Sequence, residues 1–172
     1  SMITFYNAIA NNGKMMQPRF VKKVVKNGEV LIEFPPKILR SQICKPKTLG
    51  EIQTILEHVV SQGLGKKAGS PSFKVAGKTG TAQISQGSGG YKVGRTNYLL
   101  SFAGYFPADK PRYSCIVCIQ KSGLPASGGG MSGVVFHHIS EGIMAQDLKL
   151  DVKDAKDSTS ILLPDVKNGN VL

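Results

Sequence analysis

The sequence predicts an α+β domain in which helices pack on an antiparallel sheet. Apolar runs typical of strands follow one another in the second half, and helix-period patterns lie before and after them. An Asn-Gly turn also joins two β-rich runs near the N-terminus. The length of 172 residues and a hydrophobic content of 41% allow one domain with a sizeable core. Twenty glycines and nine prolines favour many turns over a helical bundle.

The first elements are a helix, a hairpin and a second helix. Residues 2–12 have a helical pattern that Asn12-Gly13 would close with a left-handed cap. Asn27-Gly28, flanked by β-rich runs, is the strongest short-range signal for a hairpin. Thr48 and Glu51 have the spacing of a capping box, and apolar residues at three- and four-residue intervals follow them. The sequence therefore predicts a helix that begins at this box.

Three strands and a helix are predicted in the second half of the chain. The strands are residues 72–83, 97–106 and 113–121. Ser85–Gly94 is rich in glycine and serine and is predicted to be a mobile loop. Residues 127–131 form a second glycine-rich stretch, predicted to be a flexible loop, before an amphipathic helix over 132–148.

A change in composition divides the chain into two regions. Residues 1–148 contain all the predicted strands and helices, and we assign them to one domain portion. Residues 149–172 begin with a polar run typical of a linker and end as if a further module were starting.

Positive charge is concentrated in the first part of the chain. The net charge is +11, and the first hundred residues hold 15 Lys and Arg against 4 Asp and Glu, whereas the rest holds 7 of each. A basic region favours anionic partners such as nucleic acid, acidic lipid or carboxylate-bearing substrates, although a solvated basic face is the simpler interpretation. Aromatic residues do not alternate with the lysines, and no nucleic-acid motif is present. We therefore expect no nucleic-acid partner.

The cysteines and histidines do not predict a metal site. Cys44, Cys115 and Cys118 are an odd number without a disulfide framework. Cys115 and Cys118 have a short metal-type spacing, but no second pair completes a zinc site, and buried structural cysteines are the better interpretation. His137 and His138 are adjacent and cannot share one helix face. No metal and no cofactor are expected.

Residues 77–81, Gly-Lys-Thr-Gly-Thr, are the most informative motif in the chain. One lysine among glycines and hydroxyls is compatible with a phosphate loop, a carboxylate-binding groove or an ordinary turn. A phosphate loop requires glycine at position 72, where the chain has Ser72, and a helix after the lysine, which Gly80 disfavours. The groove and the glycine-punctuated strand end remain open on the motif alone.

The surroundings of this motif resemble class B penicillin-binding proteins. Four blocks stand in the order of that family: 5–14 is similar to a helix, 75–83 to its Lys-Thr-Gly strand, 102–113 to the following strand pair, and 128–139 to a terminal glycine loop and helix. Gly133 departs from the pattern, since a proline is common there. The resemblance covers residues ~3–145 and implies a partial penicillin-binding/β-lactamase-like transpeptidase fold.

The resemblance also implies roles for the motif residues. Lys78, Thr79 and Gly80 would be the catalytic Lys-Thr-Gly element, with Lys78 supplying positive charge. Thr79, Thr81 and Gln83 would bind substrate, and the two threonine hydroxyls would bind its terminal carboxylate. The backbone N–H of Thr81 would be an oxyanion donor, and Gly80 would let the substrate lie alongside the strand.

Two elements of the family are missing from these residues. No serine begins a Ser-x-x-Lys or Ser-x-Asn sequence, and in the family both elements precede the helix that 5–14 resembles. The chain therefore looks like the C-terminal part of a transpeptidase domain, and we expect it to be inactive alone.

The implied parent is a serine-type peptidoglycan D,D-transpeptidase. It would cross-link stem peptides ending in D-Ala-D-Ala, be acylated by β-lactams and work with division or elongation proteins. It would lie on the extracytoplasmic, periplasmic side, anchored by an N-terminal transmembrane helix. A division role is favoured by the helix block and by Leu163–Val166, which looks like the start of a PASTA module. The alternative is a β-lactam-sensing receptor domain of the same fold.

Overall fold

The predicted α+β architecture is confirmed by the computed structural model, which describes residues 1–85, 90–91 and 96–154. The helices are α1 (Met2–Ala10), α2 (Pro46–Ser61) and α3 (Gly133–Asp154), and the strands are β1 (Met15–Met16), β2 (Lys23–Lys26), β3 (Glu29–Glu33), β4 (Ile38–Arg40), β5 (Ala76–Ile84), β6 (Asn97–Phe106) and β7 (Tyr113–Ser122). Most of the predicted mobile loop and all of 155–172 lie outside the described residues. One compact unit comprises Ser1–Glu141, and a second begins at Gly142.

The main sheet is antiparallel, with β6 between β5 and β7. Thr79 lies opposite Phe102, and Lys78 lies opposite Ala103. Residues directly opposite each other share a face of the sheet. The side chains of Lys78 and Thr79, which are neighbours on β5, therefore leave the strand on different faces of the sheet. Within the described part of the chain, β5 has a neighbour on one side only, so its outer edge is free to pair with an extended chain.

The core lies on both faces of this sheet. On one face, Ile9 of α1 and Leu56 of α2 pack in a cluster with Tyr105 of β6. On the other face, the ring of Phe136 lies 4.7 Å from the ring of Phe102, measured between centroids. Four of these side chains are 0–2% exposed: Ile9, Phe102, Tyr105 and Phe136. The central strand is therefore covered by helices on both sides, which fixes the position of β5 beside it.

The helix ends are set by local chemistry. Asn12 has φ 51°, and the N–H of Gly13 donates to the carbonyl of Ala8 at 2.8 Å, as the predicted left-handed cap requires. The predicted start of α2 is wrong, because this helix begins at Pro46 and includes Thr48 in its first turn. Proline has a φ suited to the first helical position, so the helix begins at Pro46, before the predicted capping box at Thr48.

The predicted hairpin is confirmed between β2 and β3. Asn27 and Gly28 have φ values of 53° and 86°, the positive pair that a type I′ turn requires. Both strands are exposed along their whole length. The hairpin is therefore a two-stranded ribbon that stands apart from the main sheet.

Tyr105 gives the fold a dependence on alkaline pH. Its side chain is 1% exposed, and its hydroxyl has no hydrogen-bond partner among the described residues. Burial, reinforced by the charge of Glu57, raises the pKa of Tyr105 to about 12. Since the unfolded chain loses this proton near pH 10, the stabilisation is complete below pH 10 and is lost as the pH rises toward 12.

Replacing Tyr105 with phenylalanine is expected to remove this dependence. Between pH 10 and 12 the free energy of unfolding should fall by roughly 2–3 kcal/mol more in the wild type than in Tyr105→Phe. At neutral pH the variant should be at least as stable, because it buries no unpaired hydroxyl. Urea unfolding across this pH range measures both effects, with Tyr91→Phe, at a side chain that is 57% exposed, as the control. Equal losses in wild type and Tyr105→Phe would contradict the assignment.

Candidate active site

The Lys-Thr-Gly motif lies on β5, at the free edge of the main sheet. Lys78 is exposed, and its ammonium Nζ donates to the backbone carbonyl of Thr79 at 2.9 Å. The same Nζ lies 3.5 Å from Thr79 Oγ1. The side chains of these neighbours leave opposite faces of the strand, but the lysine folds back along its own backbone. Its positive charge is thereby held beside the threonine hydroxyl.

The predicted substrate-binding residues lie on one face of β5. Thr79, Thr81 and Gln83 alternate along the strand and therefore share a face. Thr79 is half-buried, whereas Thr81 and Gln83 are exposed. The structure thus places the hydroxyl of Thr79 beside the ammonium of Lys78, with Thr81 and then Gln83 following on the same face toward the end of the strand.

Gly80 lies beside the side chain of Ser101 on β6. It is paired with Ser101, and a Cβ at position 80 would stand 2.4 Å from Ser101 Oγ. Real Cβ atoms do not approach that closely, so a larger residue would displace either the serine or the strand. Gly80 therefore leaves room for the Ser101 side chain against the motif strand, in addition to the open groove that the sequence suggested.

A glycine turn that follows β7 closes one side of the motif. Residues Gly128–Ser132 form a single π-helical turn before α3, and Gly128 is buried. The backbone N–H of Gly128 donates to Thr81 Oγ1 at 3.2 Å. The prediction of a flexible loop here is wrong, since the turn packs against the motif strand. The three consecutive glycines before a helix are the signal for this turn, because residues without a Cβ allow two backbones to pack closely.

His137, Cys115 and Cys118 are residues at which the sequence predicted no metal site. His137 Nδ1 lies 2.8 Å from the carbonyl of Gly69, which can only accept, so this nitrogen carries the proton. Burial raises the pKa of the Cys115 thiol, whereas Cys118 is exposed, so the expectation of burial is wrong for Cys118. Among the described residues, no three His, Cys, Asp or Glu side chains are grouped as a metal would require.

None of the helices within residues 1–85, 90–91 and 96–154 is long and apolar enough to cross a bilayer.

Comparison with known proteins points to one family. Residues 1–141 match the model of the penicillin-binding protein transpeptidase domain. Penicillin-binding protein PbpB of Mycobacterium tuberculosis is 33% identical over 157 residues, which are 85% of this chain and 22% of that protein. A peptidoglycan D,D-transpeptidase FtsI homolog of Mesostigma viride is 28% identical over 152 residues, 81% of this chain and 25% of that protein.

A solved structure shares the fold. The D,D-transpeptidase domain of a peptidoglycan glycosyltransferase from Eggerthella lenta superposes with a TM-score of 0.66 and 30% sequence identity, covering 86% of this chain and 32% of that one. The chain spans about a quarter of the length of the curated relatives that it matches.

Proposed function

The chain belongs to the penicillin-binding protein transpeptidase family, in its class B group, and we propose that it supplies the Lys-Thr-Gly wall of a peptidoglycan D,D-transpeptidase site. The observation that carries this proposal is the ammonium of Lys78 held 3.5 Å from the hydroxyl of Thr79 on an exposed edge strand. This arrangement combines a positive charge with hydroxyl donors at a place that an extended peptide can reach.

The substrate group recognised here is the terminal carboxylate of a stem peptide that ends in D-Ala-D-Ala. Thr79 and Thr81 donate their hydroxyl protons to it, while Lys78 contributes its charge. A charge-assisted hydrogen bond of this kind is worth roughly 1.5–3 kcal/mol. The same contacts hold the carboxylate of a β-lactam, which resembles the dipeptide, and Gln83 lies beside them on the same face.

The free edge of β5 orients the scissile bond. A stem peptide lies along this edge as an added strand and pairs with its outward N–H and C=O groups. Backbone groups two residues apart in a strand point the same way, so Thr79 and Thr81 present theirs to one side. The N–H of Thr81 is then one oxyanion donor for the tetrahedral intermediate, and removal of one such donor typically costs ~10²–10³ in rate.

The nucleophile comes from another segment of a longer polypeptide. None of the 172 residues begins a Ser-x-x-Lys or Ser-x-Asn sequence, so the chain is the C-terminal part of the domain, with residues 1–148 in it. The activated serine attacks the D-Ala-D-Ala amide and expels the last D-alanine, and an amine of a neighbouring stem then accepts the acyl group.

The parent is a cell-wall enzyme on the extracytoplasmic side of a membrane, anchored by an N-terminal helix. A division role, with divisome proteins as partners, is supported by the resemblance of residues 5–14 to the family's helix and of Leu163–Val166 to the start of a PASTA module.

Labelling with a fluorescent penicillin tests this proposal. We expect the parent protein to be labelled covalently and the 172-residue chain alone to remain unlabelled on denaturing electrophoresis, because the chain lacks the nucleophile. A stem pentapeptide should slow labelling of the parent. A labelled band from the chain alone would overturn the assignment of the nucleophile to another segment, and an unlabelled parent would overturn the transpeptidase function.

A further inference from the structure

The hydroxyl of Thr81 receives a hydrogen bond from outside its own strand. The backbone N–H of Gly128 donates to Thr81 Oγ1 at 3.2 Å. A hydroxyl has one proton to donate and two lone pairs that accept, so this bond uses a lone pair and leaves the proton unused. That proton meets no acceptor among the residues that the structure describes.

The donor on Gly128 is held firmly in place. A Cβ at this position would stand 2.3 Å from the carbonyl oxygen of Gly80 and 2.8 Å from that of Ser101. The turn is closed by Ser127, whose Oγ accepts from the N–H of Gly130 at 2.9 Å. Gly128 is therefore packed closely against the backbones of β5 and β6, and its N–H is directed at Thr81 Oγ1.

The second hydroxyl of the site is surrounded in a similar way. Thr79 Oγ1 lies 3.5 Å from Lys78 Nζ, and an ammonium can only donate. Both hydroxyls thus have an N–H donor on one side, and both threonines lie on the same face of β5. Each of them can offer its proton to an acceptor that enters from solvent.

We propose that Gly128 is a positioning residue, which orients the Thr81 hydroxyl as a donor and so makes the site selective for a carboxylate over an uncharged ester. This inference rests on the proposed function, since it assumes that the face of Thr79 and Thr81 binds the anionic end of the substrate. Gly128 itself touches no substrate. Its effect is transmitted through the direction in which the neighbouring hydroxyl donates.

The test compares benzylpenicillin with its methyl ester, which keeps the reactive ring and lacks the charge. Acylation rates are measured on the parent protein and its variants. Thr81→Val should lower the rate with the acid by about 10–100-fold and the rate with the ester by less than about threefold, since a hydrogen bond to a charged group is lost. Gly128→Ala should lower the acid-to-ester ratio in the same direction, and the double variant should show no further loss.

Matched controls separate positioning from general disruption. Gly133 is the first residue of α3, and a Cβ there would meet its nearest atoms at 3.6 Å, an ordinary contact distance. Gly133→Ala should therefore leave the acid-to-ester ratio unchanged. Thr81→Ser keeps the hydroxyl and should retain most of the selectivity. Amide hydrogen exchange of Gly128 adds a measurement that needs no glycine variant: the N–H should exchange faster in Thr81→Val, which removes its acceptor, than in Thr81→Ser.

The outcomes distinguish this inference from the proposed function. A wild-type parent that reacts with neither compound overturns the function itself. If the wild type reacts and Gly128→Ala lowers both rates equally, the role of Gly128 is purely structural and the inference is wrong. If Gly128→Ala does not fold, equal exchange of the Gly128 amide in Thr81→Val and Thr81→Ser overturns the inference, and faster exchange in Thr81→Val with loss of the acid-to-ester ratio supports it.

Discussion

Replacing Lys78 with alanine in the parent protein is expected to slow acylation by benzylpenicillin by about 10²–10³-fold. Lys78 Nζ lies 3.5 Å from Thr79 Oγ1 and donates to the Thr79 carbonyl, so its charge stands where the substrate carboxylate is proposed to bind. Loss of the ammonium removes this attraction, and it also removes the hydrogen bond from Lys78 Nζ to the backbone carbonyl of Thr79. Stopped-flow or gel-based acylation rates at several penicillin concentrations measure the effect.

Two further variants show whether the position of the charge matters. Lys121→Ala removes another lysine whose ammonium bonds to backbone carbonyls, those of Ser122 and Gly123, but on β7 at the opposite side of the sheet. This variant should acylate at close to the wild-type rate. Lys78→Arg keeps the charge but changes its shape and donor geometry, and it should recover part of the loss. Equal rates for Lys78→Ala and Lys121→Ala would rule out a specific role for Lys78.

Much of the fold could be predicted because its signals are local. The dipeptide Asn27-Gly28 determines a type I′ turn through its own φ preferences, whatever surrounds it. β6 was predicted at its observed bounds, 97–106, because a long apolar run bounded by turn residues has few alternatives. The start of α2 was missed because two local signals compete there, and Pro46 acts before the capping box at Thr48.

The candidate site was predictable only in part. The motif residues are contiguous, so one strand was enough to bring Lys78, Thr79 and Thr81 together. The contact between Gly128 and Thr81 joins residues 47 positions apart in the chain. No pattern within either segment indicates it, because it depends on the glycine turn folding back onto β5. The three glycines allow two backbones to approach closely, but which backbones meet, and at what distance, is decided only in the folded state.

The contact between Phe102 and Phe136, on the face of the sheet that carries Thr79, should be the main determinant of the stability of the motif strand. Phe102 lies opposite Thr79 across the strand pair, and its side chain is 0% exposed. Its ring packs edge-on against Phe136, with centroids 4.7 Å apart. Phe136 lies in the first turn of α3, directly after the glycine turn. This pair therefore joins β6, the neighbour of the motif strand, to the start of α3, which directly follows the glycine turn.

Phe102→Ala is expected to lower the free energy of unfolding by roughly 3–5 kcal/mol, because it leaves a cavity in a packed core. Phe20→Ala is the matched control: this ring is 101% exposed, and its removal should change stability by no more than about 0.5 kcal/mol. Urea unfolding of both variants gives the comparison. Since a single domain is stable by only about 5–15 kcal/mol, the first loss would also loosen the glycine turn from β5. Similar stabilities for the two variants would show that the contact between Phe102 and Phe136 does not hold the motif strand in place.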